Sequence, residues 1–246
     1  MEDYNYQIDY SMPRQSGLYP PPPFEYKNAR ALILVFQCAP DTKKNYLPPK
    51  FISIEGGLDA LITLEYPNTS IGRYNECIVT LNCTYENKPG LYVFSIYVDT
   101  DIALAAGREI WGIPKKLANI ELSHIKDNIV EGSVERVGQT LFEVSAAILN
   151  TEPGLNPREM FETLPFYNLK LIPDIANNTK PALRQLTETT LKIHDIHKQF
   201  GVDANYIKSN LTQYDVSHEL LKDANIELGG FYVDFDFTLP NGKILE

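Results

Sequence analysis

Gly107-Arg108-Glu109-Ile110-Trp111-Gly112-Ile113-Pro114-Lys115-Lys116-Leu117-Ala118-Asn119 is the stretch around which the chain is organised. Proline fixes φ and lacks a backbone N–H, so Pro114 suits the edge of an element and sends the next side chains off at a set angle. In a locally extended segment neighbouring side chains point to opposite faces, so one lysine points inward and the other away. Trp111, Ile113 and Leu117 offer the inward one a low-dielectric setting. Desolvation disfavours an ammonium, and a second cation next door disfavours it again. Making a lysine largely neutral near pH 7 takes a depression of roughly three units from about 10.4, or about 4 kcal/mol. A neutral lysine amine is a nucleophile that condenses with ketones. On spacing alone, however, a Lys-Lys pair reads as a solvated surface pair, and the surrounding chain has to decide between the two.

The 246 residues suit one domain with a sizeable core, and a 43% hydrophobic content suits a globular chain. A formal charge of -10 argues against nucleic-acid and anionic-membrane partners, so an anionic substrate needs a local positive site. No run approaches the ~18 apolar residues of a membrane span. Met1 to Tyr10 is acidic and polar, unlike a secretory leader, and Cys38, Cys77 and Cys83 make no even-numbered disulfide framework. A cytoplasmic protein with buried thiols is the expectation.

Residues 1–27, with Pro20-Pro21-Pro22-Pro23, read as an extended lead-in lying over the body. Strands are expected at Arg30–Gln37, Phe51–Ile54, Leu58–Tyr66, Arg73–Tyr85 and Leu91–Val98, with a turn at Asn87-Lys88-Pro89-Gly90. A short helix is expected within Asp41–Leu47, and another over Asp101–Ile110 with Asp101 as its N-cap and Arg108-Glu109 as a structural ion pair. Asn119–His124, Ile129–Val137 and Thr140–Leu149 read as a meander. A loop at Pro153–Pro157 with a helical turn after it, strands at Pro165–Pro173, Leu183–Ile193 and Phe231–Leu239, and a partly helical Tyr214–Asp223 complete the chain. His194-x-x-His197 lacks a third ligand, and no GxGxxG, Walker, GxSxG or CxxC motif is present. No metal or cofactor is expected.

Glu76 stands inside an apolar and aromatic strand, where a carboxylate either faces water at an edge or is aimed into a cavity. By pattern alone the edge is favoured. The run GREIWGIPKKLA, the Tyr74-x-Glu76 step, Ser11-Met12-Pro13, the Pro-Pro-Phe-Glu-Tyr run and Asn168-x-Lys170-x-Ile172-Pro173 together resemble the acetoacetate decarboxylase family, over essentially the whole chain. In that family the first lysine of the Pro-Lys-Lys step forms the Schiff base, a known instance of a lysine activated by desolvation or a neighbouring cation and not a deduction from these residues. The resemblance implies Lys115 as nucleophile, Glu76 for positioning and proton transfer, and Lys116 for tuning. It implies a single α+β domain, predominantly antiparallel, curled into a closed or nearly closed barrel or cone with few short helices, and a homo-oligomer acting on a small keto acid. Ala29 stands where the family pattern places an arginine, with Arg30 adjacent as the candidate for the substrate carboxylate. Leu61 stands where it places a second glutamate, with Glu65 on the same face. The expected reaction is decarboxylation of a β-keto acid, acetoacetate or, in preference, a larger one. The alternatives are a related lysine-imine dehydratase or aldolase-like enzyme, or a binding module that holds its ligand unchanged.

Overall fold

β1 (Phe24–Phe36) is buried on both sides along Ala31-Leu32-Ile33-Leu34-Val35-Phe36, so it runs through the middle of the sheet with a core on each face. The computed structural model describes residues 10–226 and 228–246, and the lead-in expected over residues 1–9 lies outside them. The lead-in also ends sooner than expected, because β1 starts at Phe24. The register of β1 shifts between Tyr26 and Ala29, where Asn28 takes φ +55°. In an unbroken strand Tyr26 and Arg30 would share a face. The bulge instead puts Ala29 in the core that holds Tyr26, and turns Arg30 to the other side.

α1 (Pro40–Lys44) leads to β2 (Phe51–Ser53), β3 (Asp59–Tyr66), β4 (Asn68–Thr69), β5 (Tyr74–Tyr85) and β6 (Lys88–Val98). The β5–β6 hairpin turns on Glu86 and Asn87, both at positive φ, and so more tightly than the expected Asn87–Gly90 turn. α2 (Asp101–Ala106) and a π-helix (Gly107–Trp111) follow, then β7 (Lys115–Leu117), β8 (Asn119–Leu122), β9 (Ile129–Arg136) and β10 (Gln139–Ile148). α3 (Pro157–Thr163), β11 (Phe166–Pro173), β12 (Pro181–Thr189), β13 (Lys192–Ser209), α4 (Ser217–Leu221), β14 (Gly230–Leu239) and β15 (Lys243–Ile244) complete the order. The run Leu183–Ile193, expected as one strand, is two: the chain breaks after Thr189 because β12 pairs with β11 whereas β13 pairs with β14.

The strands form one sheet in the order β15-β12-β11-β6-β5-β3-β1-β14-β13-β10-β9-β8, with β2 on β5, β4 on β1 and β7 on β6. Among the described residues only the β6–β7 and β6–β11 pairings are parallel. One face, with Ile33, Ile62, Leu64, Ile78 and Ile96, packs under Ala103, Trp111, Phe161 and Phe235. The opposite face, with Leu32, Leu34, Leu61, Val79 and Tyr97, packs against Val134, Phe142 and Val144 of the β9–β10 hairpin.

Of the two expected forms, closed or nearly closed, the fully closed barrel is not formed: among the described residues no ladder joins the two ends of the sheet. After Ala118 donates its N–H to Val98 the chain leaves β6, and β8 pairs with β9 alone. Side chains satisfy the carbonyls along this seam. Asn75 Nδ2 donates to Ile120 C=O at 2.9 Å, and Arg30 donates to Ser123 C=O at 3.1 Å and to Leu122 C=O at 3.3 Å. Arg30 also pairs with Glu65, its Nε 2.8 Å from Oε2, and Arg73 reaches the same carboxylate at 3.1 Å. Arg30→Met removes these bonds and leaves Glu65 with one exposed partner. Urea denaturation should show a loss of about 2–3 kcal/mol with an unchanged slope.

Candidate active site

α2 begins on Thr100, whose Oγ1 accepts the Ala103 N–H at 3.4 Å, so the N-cap is Thr100 and not Asp101. The helix widens into the π-turn Gly107–Trp111 and stops at Gly112, whose φ of +76° suits glycine. A Cβ on Gly112 would also stand 2.3 Å from Lys170 Cβ. Lys115 N–H then bonds Ile113 C=O at 2.8 Å, closing a three-residue turn centred on Pro114. β7 starts there, with Lys115 level with Ile96 of β6. A Cβ on Gly107 would lie 2.6 Å from Lys115 Cδ, so this glycine clears the path of the lysine chain. Arg108 donates to Lys115 C=O at 3.2 Å and Glu109 accepts from Tyr19, so the expected Arg108–Glu109 pair is replaced by two separate contacts.

Lys115 and Glu76 are each 5% exposed, and Nζ sits 2.7 Å from Glu76 Oε2, an ion-pair contact outside hydrogen-bond angles. Glu76 reaches the site because alternation along β5 puts Tyr74, Glu76 and Ile78 on one face. Tyr66 donates to Glu76 Oε1 at 3.1 Å. Tyr26 and Tyr74 share a hydrogen bond of 2.8 Å, and Lys115 Nζ lies 5.3 Å from the Tyr74 ring centroid. Phe237 stacks on Tyr26 at 4.2 Å. Burial pushes the Tyr26, Tyr66 and Tyr74 phenols above their ordinary range, which keeps their protons in place at neutral pH. The cavity walls are otherwise largely aliphatic and aromatic, closed by Ile62, Leu64, Phe161, Leu191 and Phe235.

Lys116 points the other way. Its Nζ is 2.6 Å from Asp215 Oδ2 and 5.7 Å from the Tyr97 ring centroid. Burial raises the Asp215 carboxyl, but hydrogen bonds from Lys116, Ser217 and Tyr97 outweigh it and hold the group below the usual carboxylate range. The expected site residues therefore divide by face. Lys115 and Glu76 meet in the cavity. Arg30, Glu65 and Leu61 lie across the sheet, where Arg30 closes the seam through Glu65 and the Leu122 and Ser123 carbonyls. His194 and His197 hydrogen-bond Thr238 and Asp236 of β14, and no cluster of metal-ligating side chains occurs among the described residues. Sequence reading passed over Tyr26, Tyr66, Asn168 and Thr189. The signal for Tyr66 was the Tyr66↔Tyr74 register two residues from Glu76, whereas Asn168 and Thr189 needed the β11–β12 pairing.

Residues 10–246 match the model of the family described as acetoacetate decarboxylase. An acetoacetate decarboxylase of Ralstonia nicotianae is 29% identical over 174 residues, covering 69% of this chain and 68% of that protein. The crystal structure of acetoacetate decarboxylase from Legionella pneumophila superposes with a TM-score of 0.85 at 23% identity, over 96% of this chain and 93% of that one. The enduracididine biosynthesis enzyme MppR, complexed with the condensation product of pyruvate and imidazole 4-carboxaldehyde, gives a TM-score of 0.79 at 18% identity, over 97% of each chain. These last two likenesses are of fold.

A buried ion pair costs stability that an apolar pair would not. Lys115→Met alone strands Glu76 and should lower the unfolding free energy by about 3–5 kcal/mol. Lys115→Met/Glu76→Leu should be neutral to about 4 kcal/mol more stable than the native chain by chemical denaturation.

Proposed function

The chain belongs to the acetoacetate decarboxylase family, and from that premise we propose that it is a Schiff-base-forming carboxy-lyase acting on a β-keto acid. The observation that carries this reading is the 2.7 Å approach of Lys115 Nζ to Glu76, both out of water, in a largely apolar cavity. Glu76 takes a proton from the ammonium, and the freed amine adds to the ketone carbon. Glu76 returns the proton to the carbinolamine oxygen, water leaves, and a protonated imine forms. The bond to the carboxylate carbon then breaks, carbon dioxide departs, and the electron pair moves into the imine to give an enamine. Protonation of the enamine carbon and hydrolysis release the ketone, for a net uptake of one proton. Tyr66 fixes Glu76 throughout through its donated hydrogen bond.

The test is reductive trapping. A ketone with borohydride should leave a mass adduct on Lys115 in the native chain and in Lys116→Met, and none in Lys115→Met. An adduct missing from the native chain sinks the reading and leaves the binding module. An adduct lost in Lys116→Met alone makes Lys116 the nucleophile.

The cavity presents aliphatic and aromatic surface and no guanidinium, which supports a keto acid with an apolar tail over acetoacetate. Each buried CH₂ is worth about 0.8 kcal/mol, or about fourfold in kcat/KM where that binding is kept in the transition state. Steady-state carbon dioxide release should rise by that factor from acetoacetate to its next one or two homologues, and a flat series contradicts the assignment. MppR, the fold neighbour crystallised with a condensation product, supports a second reading in which the same lysine imine serves carbon–carbon bond formation. A trapped imine without carbon dioxide release would select it.

A further inference from the structure

We propose that Asn168, together with Thr189, is the carboxylate subsite of the Lys115 cavity, an assignment that rests on the keto-acid reading above. Asn168 is 0% exposed, and neither its Oδ1 nor its Nδ2 has a hydrogen-bond partner. Thr189, also buried, leaves its Oγ1 unpaired, and both residues line the cavity. Native proteins pair the large majority of buried polar side-chain atoms, and of the four beside this cavity without a hydrogen bond only Glu76 Oε2 has an ion-pair partner, so the other three mark the place of an absent partner. The position itself does not starve a side chain of partners. Thr187, two residues from Thr189 on the same face, donates its hydroxyl to Trp111 C=O at 2.6 Å. The other polar groups in the cavity are engaged: Tyr66 with Glu76, Tyr74 with Tyr26, and Lys115 with Glu76.

The topology puts this pair at the right place. β11 and β7 both lie parallel to the same edge of β6, but β11 stops pairing at Tyr167↔Tyr92 and β7 starts at Lys115↔Ile96. Asn168 is the first residue past the end of one ladder, and Lys115 is the first residue of the other. They flank the gap between them, about 10 Å apart by strand rise. A small keto acid held as an imine at Lys115 Nζ spans the part that the lysine chain leaves free.

The chemistry suits neutral donors. Lys115 is consumed as the imine and Arg30 is across the sheet, so the carboxylate meets no free cation at this end. Asn168 N–H and Thr189 O–H each donate to one carboxylate oxygen. Carbon dioxide carries no charge, so any group that binds the carboxylate must release it as the bond breaks. A guanidinium would hold the ground state more firmly than two neutral donors do, and more of that binding would be lost in the transition state.

Butanoate, a carboxylate without a ketone, reads this subsite independently of imine formation. Calorimetric titration of the full chain should show binding weakened about 10- to 100-fold by Asn168→Leu and about 3- to 10-fold by Thr189→Val. Trapping of the neutral ketone butanone on Lys115 should stay within about threefold in both variants. Butanoate affinity unchanged in both variants overturns the assignment. So does a native chain that traps butanone and does not bind butanoate. Equal loss of butanoate binding and butanone trapping in the two variants assigns the residues to structure alone and also overturns it. Failure of the native chain to trap butanone, with butanoate binding behaving as expected, removes the lysine-imine reading and leaves the anion site.

Discussion

An ammonium and a carboxylate 2.7 Å apart, each 5% exposed, set the conditions that the surrounding structure meets. Removing two charges from water costs several kcal/mol per ion, and their mutual attraction repays it only with good supporting contacts. The supports are local and specific. Tyr66 donates to the carboxylate, the Tyr74 ring lies beside the ammonium, and Gly107 gives the lysine chain room to enter. The π-turn before Gly112 and the turn on Pro114 then fix the residue at which β7 begins. A π-turn is a costly irregularity that recurs at functional sites, and here it sets the phase of two adjacent lysines.

That phase separates two chemistries by one residue. Lys115 enters the cavity with Glu76, whereas Lys116 crosses to Asp215, which is held ionised by its hydrogen bonds. The same separation runs through the neighbouring strands. On one face Tyr26, Tyr66, Tyr74 and Glu76 surround the cavity, and on the other Arg30, Glu65 and Asn75 hold the seam between β8 and the rest of the sheet. The positive charge of Lys116 therefore sits beside a carboxylate of its own. Its influence on Lys115 is that of a compensated pair and not of a bare cation.

How much of this could be read from the sequence depends on how local the determining physics is. Period-two alternation put the two lysines on opposite faces, and Glu76 on the face of Tyr74, but the family resemblance and not the pattern chose Lys115 and aimed Glu76 into a cavity. The strands of the β9–β10 and β5–β6 hairpins were legible for the same reason, although the second turn proved to be the two residues Glu86 and Asn87. Arg30 was a candidate only as the neighbour of Ala29, and alternation past the bulge at Asn28 puts it on the face opposite Ala29. Whether the sheet closes fully stayed open because it turns on where β8 leaves β6, an outcome of non-local pairing. Asn168 was legible only as a member of a family motif, and Thr189 not at all, for a similar reason: their significance is that they lack partners, and a lack of partners exists only once the strands are placed.

The misplacement of Arg30 and the unpaired state of Asn168 bear on each other. A guanidinium in the cavity would neutralise the substrate's charge, and it would also stand close to the Lys115 ammonium and favour the free amine through like-charge repulsion. With Arg30 committed to the seam, neither service is available on the Lys115 face. On the proposed reading the cavity answers the first need with neutral donors, and its walls are aromatic and aliphatic. Both features lower the polarity of the cavity. A carboxylate that enters such a place is poorly solvated compared with water, and its conversion to neutral carbon dioxide removes the group that is out of keeping with the walls. The absence of a cation at the Asn168 end is in this sense continuous with the burial of Lys115: each makes charge unwelcome, and the reaction assigned to the site is one that disposes of it.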